Sequence, residues 1–464
     1  MPEPAALGSG SLVIASNRLP FDYERGPHGL TRRPSSGGMA SALDPVLRKR
    51  GGGWVGWPGS GVRPGDDVEA PDDPYRVIPI HLDAEEVERY YRDFSNRCLW
   101  PLFHSLPGRT AFDADCWNVY RRVNARFAEA LLCEVNDSSL LWVHDYHLML
   151  VPELVRSARP QRTSAFFLHV PFPSYDLFTL LPRHEELLRG VLGSQLVGFQ
   201  TRGCVKNFLE CAERCLDTAV DRESQRVMFE GRSIRVGAFP IGIDYSRFEA
   251  YALNAPPRVE RHQRVILGAD RLDYTKGISQ RIQAMERLLV LHPEHLERVT
   301  LVQIAVPSRC QVAEYQDLKC EIDELVGRVN GRFASASWSP IQYLYRSFDH
   351  DQLAGLYRDA DVALVTPLRD GMNLVAKEFV ACQVDDPGVL VLSRFAGAAD
   401  GMAEALLVNP YDVDGTAEAL HQALSMHASE RRQRMTALRV REAEHDVHAW
   451  VDALLRTAAE SRRG

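Results

Sequence analysis

The stretch Val362-Ala-Leu-Val-Thr-Pro-Leu-Arg-Asp-Gly-Met-Asn-Leu-Val-Ala-Lys-Glu378 changes character halfway along. Val362–Thr366 is a β-branched and aliphatic run, which suits a strand covered on both faces. Pro367 stops it, Asp370-Gly371 makes a tight turn, and a helix begins near Asn373. Strand, turn and helix in that order are part of a βαβ unit, and the same alternation recurs on either side. In the first half the apolar runs are Ser11–Ser16, Leu140–Val143, Thr163–Leu168, Gln195–Phe199 and Val236–Pro240. In the second half they are Arg264–Gly268, Val299–Ala305, Val362–Thr366, Val389–Ser393 and Leu406–Val408. The fold class is therefore α/β, with two Rossmann-like, doubly wound parallel-sheet domains in tandem.

The join is expected near Ile243–Val259, where Pro256 and Pro257 sit in a polar stretch. This gives an N-terminal domain over 1–245, a C-terminal domain over 246–440 and a C-terminal helical segment, 441–464, packing back on the first domain. Phe21–Arg33, rich in Gly, Pro and charge, reads as a loop long enough to close over a site.

Length and composition agree with this organisation. The chain has 464 residues, 45% hydrophobic and 25% charged, close to the average for globular proteins, so disordered, collagen-like and coiled-coil classes are excluded. The richest apolar run, Leu140–Val151, is broken by His144, Asp145 and His147 and falls short of the ~18 apolar residues that cross a bilayer. Met1-Pro-Glu-Pro4 carries an acid and no basic region, which speaks against a secretory signal and for a cytoplasmic protein. Nine cysteines without a Cys-x-x-Cys pair read as free thiols in a reducing compartment. The balance of 54 Lys+Arg against 62 Asp+Glu, net −8, argues against nucleic acid as a partner. It leaves room for a local arginine cluster that binds a phosphorylated small molecule, and homo-oligomer formation is compatible with it.

In open α/β sheets ligands bind beyond the carboxyl ends of the strands, so the first polar residues after each run are the candidates. These are Asn17 and Arg18, then His144, Asp145 and His147, then His169. In the second half they are Asp270, Arg271 and Asp273, then Ser308 and Arg309, then Arg369 and Asp370. Taken singly, Asp145 reads as a helix N-cap, His169 as a core histidine and Arg18 as a surface arginine. Their recurrence at equivalent strand ends favours a functional reading. The helix start near Asn373 leaves amides free to hold phosphate, and Glu378 beyond it is placed to accept hydrogen bonds from a ribose diol. Arg271 and Lys276 bracket a turn in Arg271-Leu-Asp-Tyr-Thr-Lys-Gly277, as two cations that neutralise a departing diphosphate would. The Asp-x-Asp triplets at 113–115, 359–361 and 412–414 read as incidental, since protein cations already do a metal's work. No Walker loop or complete GxGxxG is present.

On these residues the chain resembles the trehalose-6-phosphate synthases, retaining glycosyltransferases of the GT-B fold. The matching stretches include Ser16-Asn-Arg18, Ser36-Gly-Gly38, Trp54-Val-Gly-Trp57, Tyr90-Tyr91 with Phe94-Ser-Asn96 and Leu99-Trp-Pro101, and Trp142-Val-His-Asp-Tyr-His-Leu148. They continue through Phe166–Pro173, Gly198–Thr201, Pro240–Asp244, Arg271–Gly277, Pro307-Ser-Arg309 and Thr366–Glu378, spanning nearly the whole chain. The resemblance implies two domains facing across a cleft, a UDP- or GDP-glucose donor, glucose 6-phosphate as acceptor, and an α,α-1,1-linked disaccharide phosphate as product. It implies no metal and no cofactor. Donor contacts would come from Gly37, Gly38, Arg271, Lys276, Phe348, Asp370, Gly371, Met372, Asn373, Leu374, Val375 and Glu378. Acceptor contacts would come from Arg18, Trp57, Tyr91, Trp100, Asp145 and Arg309. Asp145, His169, Arg271 and Lys276 would be the catalytic set, with His169 and Asp370 binding donor glucose and Asp145 orienting the acceptor sugar.

Where relatives show Gly-Ala-Ala followed closely by Glu, this chain reads Gly397-Ala-Ala-Asp-Gly-Met402. An alternative on the same fold is a pseudo-glycosyltransferase joining a nucleotide-cyclitol to an amino-cyclitol phosphate. That offshoot tends to alter the Pro-Ser-Arg segment, which is intact here. An epimerase would have no use for an acceptor-phosphate pair, and a regulatory subunit would have lost the clamp.

Overall fold

A parallel strand cannot stand without a crossover helix to cover it, and this requirement shapes both halves of the chain. The computed structural model describes residues 11–26, 29–35, 38–68, 73–256, 263–309, 312–385 and 387–461. The chain divides into two compact units, Met1–Pro240 with Trp450–Gly464, and Ile241–Ala449.

The N-terminal unit holds a nine-stranded sheet. In spatial order its strands are Arg76–Pro79, Gly53–Trp57, Leu12–Arg18, Leu140–His144, Ser164–Leu168, Leu196–Phe199, Arg232–Ala238, Arg226–Phe229 and Ala219–Asp221. All neighbours are parallel except for the antiparallel edge made by the last three. Leu12–Arg18 lies between Gly53–Trp57 and Leu140–His144, and its residues are buried from Leu12 to Asn17. Gly53-Trp-Val-Gly-Trp57 escapes a periodicity search because glycines interrupt it. Gly56 is nevertheless required, since a Cβ there would lie 2.8 Å from the Arg18 carbonyl carbon.

Phe21–Arg33 is not the open loop that its composition suggests. Phe21–Gly26 and Gly29–Pro34 pair antiparallel as a hairpin, in register from Phe21 opposite Pro34 to Gly26 opposite Gly29. Arg32 reaches Asp73 with two hydrogen bonds of 2.6 and 2.5 Å, and the Tyr23 hydroxyl donates to the Val68 carbonyl at 2.9 Å. Cross-strand pairing and these ties outweigh the turn-forming composition.

The C-terminal unit holds a six-stranded, wholly parallel sheet. Its order is Ile341–Leu344, Val299–Val306, Arg264–Arg271, Val362–Val365, Val389–Ser393 and Leu406–Val408. The change of unit falls at Pro240–Ile241 and again at Ala449–Trp450, so 241–245 and 441–449 lie with the C-terminal unit. Glu442, buried, accepts from Lys377 at 2.8 Å, and the Val447 amide donates to Ile243 at 2.9 Å, which anchors that segment there. No helix among the described residues is long and apolar enough to cross a membrane.

Candidate active site

In the N-terminal unit the strand ends carry a continuous run of rings. The Arg18 guanidinium lies over Trp57 at 4.7 Å. Trp57 meets Tyr91 edge-on at 5.7 Å, Tyr91 stacks on His147 at 5.9 Å, His147 touches Tyr146 at 3.9 Å, and Tyr146 meets Trp100 at 5.9 Å. Arg18, Trp57, Tyr91 and Trp100, widely separated in sequence, are thus brought onto one wall. Tyr146 and His147 complete it; the sequence marked His147 as a strand-end residue and both as part of a matching motif, without giving either a role.

Tyr91 and Trp100 are delivered by an unusual element, a 13-residue π-helix, Val87–Leu99, followed directly by the turn Trp100–Phe103. Its wide i→i+5 turns are supported from the side: Ser95 Oγ donates to the Tyr90 carbonyl at 2.8 Å and Asn96 Nδ2 to the Tyr91 carbonyl at 2.7 Å. The Tyr90 hydroxyl donates to Asn17 Oδ1 at 2.9 Å, and Tyr146 donates to Asn96 Oδ1 at 3.0 Å. These bonds connect the helix to two strand ends. π-Geometry is rare and concentrates at functional sites.

Asp145 sits at φ 74° and ψ 168°, a positive-φ, extended-ψ conformation rare for any residue with a side chain. Its amide donates to Phe167 at 2.8 Å, and its carboxylate Oδ1 accepts from the His169 amide at 3.2 Å. His169 Nε2 lies 2.9 Å from His144 Nδ1, and its Nδ1 lies 3.4 Å from Gln200 Nε2. Burial pushes the His169 ring down to about 3, and His144 goes the same way through burial and its histidine neighbour. His169 is therefore neutral near neutral pH. Trp450 closes this end, 4.9 Å from Trp142, 5.2 Å from Phe167 and 6.2 Å from His169. Of the two glycines expected to contact the donor, Gly38 opens the helix Gly38–Arg50, and Gly37 lies outside the described residues.

In the C-terminal unit Arg264–Arg271 ends with an exposed Arg271. Beyond it the 3₁₀ turn Tyr274–Lys276 presents Lys276, whose ammonium donates to Asp370 Oδ2. Gly277, which follows Lys276, has φ 66°, and a Cβ there would lie 2.3 Å from the Thr366 carbonyl oxygen, so this turn closes tightly on the end of the neighbouring strand. Asn373 Nδ2 donates to the same Asp370 oxygen as Lys276, at 3.1 Å. Asn373, at φ 75°, caps the helix Leu374–Cys382 by accepting from the Ala376 amide at 3.3 Å. The amides of Leu374 and Val375 are the ones left at this positive helix end.

Behind the turn, buried Arg281 donates to Asp270 Oδ2 at 2.5 Å, to Thr366 Oγ1 at 3.0 Å and to the Lys276 carbonyl at 2.9 Å. Nothing in the sequence points to this residue, because an arginine on a helix reads as surface. Gly371 and Met372 are buried in the loop, and the Ala398 amide donates to the Met372 carbonyl at 2.9 Å. The Gly397–Gly401 turn thus supports the loop through backbone, with Asp400 exposed. Glu378 accepts from the Tyr357 hydroxyl at 3.1 Å, and burial pushes its carboxyl up to about 7. Phe348 lies beneath the Arg346 guanidinium at 4.6 Å. Arg309, at φ 48°, has its side chain 8% exposed and donates to the Tyr315 hydroxyl, with Asp273 Oδ2 3.5 Å away. The Asp-x-Asp triplets have local duties: Asp113 and Asp412 cap helices, and Asp361 accepts from the Val265 amide at 2.8 Å.

A sequence profile of glycosyltransferase family 20 matches residues 10–460. The chain belongs to glycosyltransferase family 20. Among relatives of this family 20 chain, a trehalose-6-phosphate synthase of Mycobacterium avium (strain 104) is 41% identical over 479 residues, which span 98% of this chain and 97% of that one. A UDP-forming α,α-trehalose-phosphate synthase from Burkholderia xenovorans, solved in complex with glucose-6-phosphate, superposes with a TM-score of 0.89 at 37% identity, covering 97% of this chain and 100% of that one. A solved chain from E. coli, bound with UDP-2-fluoro glucose, superposes with a TM-score of 0.89 at 35% identity, covering 97% and 99%. The fold is therefore the two-Rossmann α/β architecture of these family 20 enzymes, and nothing in the likenesses supports the cyclitol-coupling alternative.

Proposed function

We propose that this chain moves glucose from a nucleotide-diphosphate glucose, with UDP-glucose as the donor favoured by its relatives, to glucose 6-phosphate, giving α,α-trehalose 6-phosphate with retention. The observation that carries the reading is the C-terminal half-site. There the helix start at Asn373–Val375, Lys276 on Asp370 and exposed Arg271 follow the ends of adjacent parallel strands.

On this reading the amides of Leu374 and Val375 hold the donor phosphate, with Gly37, Gly38, Gly371 and Met372 contributing backbone contacts. Glu378 receives the ribose hydroxyls and Phe348 lies on the base side. Arg271 and Lys276 stabilise charge as the diphosphate leaves. The departing phosphate takes the proton of the attacking hydroxyl on the face it leaves from, so retention needs no enzyme nucleophile. His169 and Asp370 hold donor glucose, Asp145 orients the acceptor, and Arg18 and Arg309 serve its phosphate with Tyr91, Trp100 and Trp57. The cations are protein side chains, so the reaction is read as metal-independent, and its partners are two small phosphorylated molecules in the cytoplasm.

Initial rates with UDP-, GDP- and ADP-glucose at fixed glucose 6-phosphate, with the product identified by NMR, test this. An α,α-linked disaccharide phosphate formed fastest from UDP-glucose is expected. Absence of that product with all three donors would overturn the reading.

A further inference from the structure

Arg264–Arg271 and Val299–Val306 are neighbouring parallel strands with Arg271 opposite Val306, so the loops that follow them leave the sheet side by side. The Leu272 amide donates to the Val306 carbonyl at 2.8 Å and holds the two exits together. Asp273 lies just past the end of the first strand and Arg309 just past the end of the second. Asp273 belongs to neither the donor nor the acceptor set, yet its side chain is fully buried between them. We propose that Asp273, acting through the Tyr315 hydroxyl, is the positioning residue that aims Arg309 at the acceptor phosphate. The inference rests on the reading in which Arg309 serves that phosphate.

Both carboxylate oxygens of Asp273 accept hydrogen bonds. Oδ1 receives the Thr275 amide at 2.9 Å and the Thr275 hydroxyl at 2.8 Å. Oδ2 receives the Tyr315 hydroxyl at 3.0 Å, with Arg309 Nη1 3.5 Å away. Because the hydroxyl proton goes to the carboxylate, the lone pairs of the Tyr315 oxygen are left for Arg309, whose Nη1 donates to it. Tyr315 is itself fixed: it is buried near the start of the helix Ala313–Phe333 and packs on Tyr274 at 5.4 Å. The Arg309 backbone is held as well, its carbonyl accepting from the Val312 amide at 2.9 Å. Holding one nitrogen of a planar guanidinium sets the plane in which the others present their N–H groups.

Burial alone would raise the Asp273 carboxyl, but the charges of Arg309, Arg271 and Lys276 and the Thr275 amide hold it below the usual carboxylate range, so it is ionised at neutral pH. An aspartate serves here for a reason beyond charge, since it accepts at both oxygens whereas asparagine accepts at only one. An asparagine that kept the two Thr275 bonds would turn its NH₂ toward Tyr315. The Tyr315 hydroxyl would then accept, its proton would face Arg309, and the guanidinium would lose its acceptor. The turn that carries Lys276 would keep its own bonds, so the damage falls on the Arg309 side.

The test is steady-state kinetics on the full chain with each substrate varied in turn. Asp273→Asn should raise KM for glucose 6-phosphate roughly 10–100-fold and leave kcat within about twofold. UDP affinity should hold or tighten, because a negative charge leaves the neighbourhood of Arg271 and Lys276. Tyr315→Phe, which keeps the buried ring, should raise the same KM by about three- to tenfold, and it carries the test alone if Asp273→Asn does not fold. Once Arg309→Ala has removed the guanidinium, adding Asp273→Asn should raise this KM no further. Parent-like KM in Asp273→Asn and Tyr315→Phe while Arg309→Ala raises it would overturn the positioning role and leave the proposed reaction standing. So would an equal effect of Asp273→Asn with and without the Arg309 side chain. Parent-like KM in Arg309→Ala, or no disaccharide phosphate from the parent chain, would overturn the reading of Arg309 and this inference with it.

Discussion

Arg271 and Lys276 carry the same charge on one turn, yet their surroundings differ. Arg271 is exposed at the strand end, whereas the Lys276 side chain is only 10% exposed against Asp370. Removing Arg271 therefore takes charge from the site without opening a hole in the core. Arg271→Ala should lose about 10²–10³ in kcat, or roughly 2.7–4 kcal/mol of barrier, with Tm unchanged. Near-normal turnover would remove Arg271 from its proposed role. Glu378 supplies a pH signature. Its carboxyl, ordinarily near 4.5, is raised to about 7 by burial, so between those values the folded chain binds a proton that the unfolded chain has released. Its contribution to stability is complete below about 4.5 and is lost as pH rises through 7. In the proposed role a ribose diol would donate to the carboxylate, so UDP affinity should weaken by up to about tenfold per pH unit below 7. Calorimetric UDP titrations across this range should show that slope in the parent chain and a flat line in Glu378→Gln; a flat line in both would remove Glu378 from the ribose.

At the scale of elements, the helix Leu374–Cys382 depends on how it starts. Asn373 combines a left-handed backbone with a side chain that caps the Ala376 amide. Asn373→Gly keeps the backbone freedom and loses the cap, so it should cost only a few tenths of a kcal/mol. Asn373→Ala loses the cap and strains the backbone, costing roughly 2 kcal/mol. Denaturant midpoints separate the two, and a cost for Ala no greater than for Gly would show that φ at this position is not constrained. On the proposed reading, in which the Leu374 and Val375 amides hold the donor phosphate, both should raise KM for the nucleotide sugar. The hairpin Phe21–Pro34 and the π-helix Val87–Leu99 were not legible as elements for one reason: each is held by contacts from elsewhere, Arg32 to Asp73 in the hairpin, Tyr90 to Asn17 in the π-helix.

For the molecule as a whole, the end of the chain completes its beginning. The helix Val447–Ser461 starts in the C-terminal unit, but from Trp450 onward it belongs to the N-terminal one. Trp450 is 4% exposed, packs on Trp142, Phe167 and His169, and donates to the Phe239 carbonyl at 3.0 Å. Trp450→Ala should cost about 3–5 kcal/mol and lower kcat through a loosened His169. A Tm equal to that of the parent chain would show that the helix end is dispensable.

The sequence by itself determined the alternation of strand and helix and the strand ends where polar groups such as Arg18, Asp145 and Arg271 emerge. Periodicity and turn chemistry are local, and a fully buried parallel strand leaves a continuous apolar run. Only the tertiary structure decided that Arg281 is buried beneath Lys276, that Tyr357 is the partner of Glu378, and that rings from Trp57 to Trp100 form one wall. Those relations join residues far apart in the chain, and no local pattern encodes which distant side chain desolvates a charge or receives its hydrogen bond.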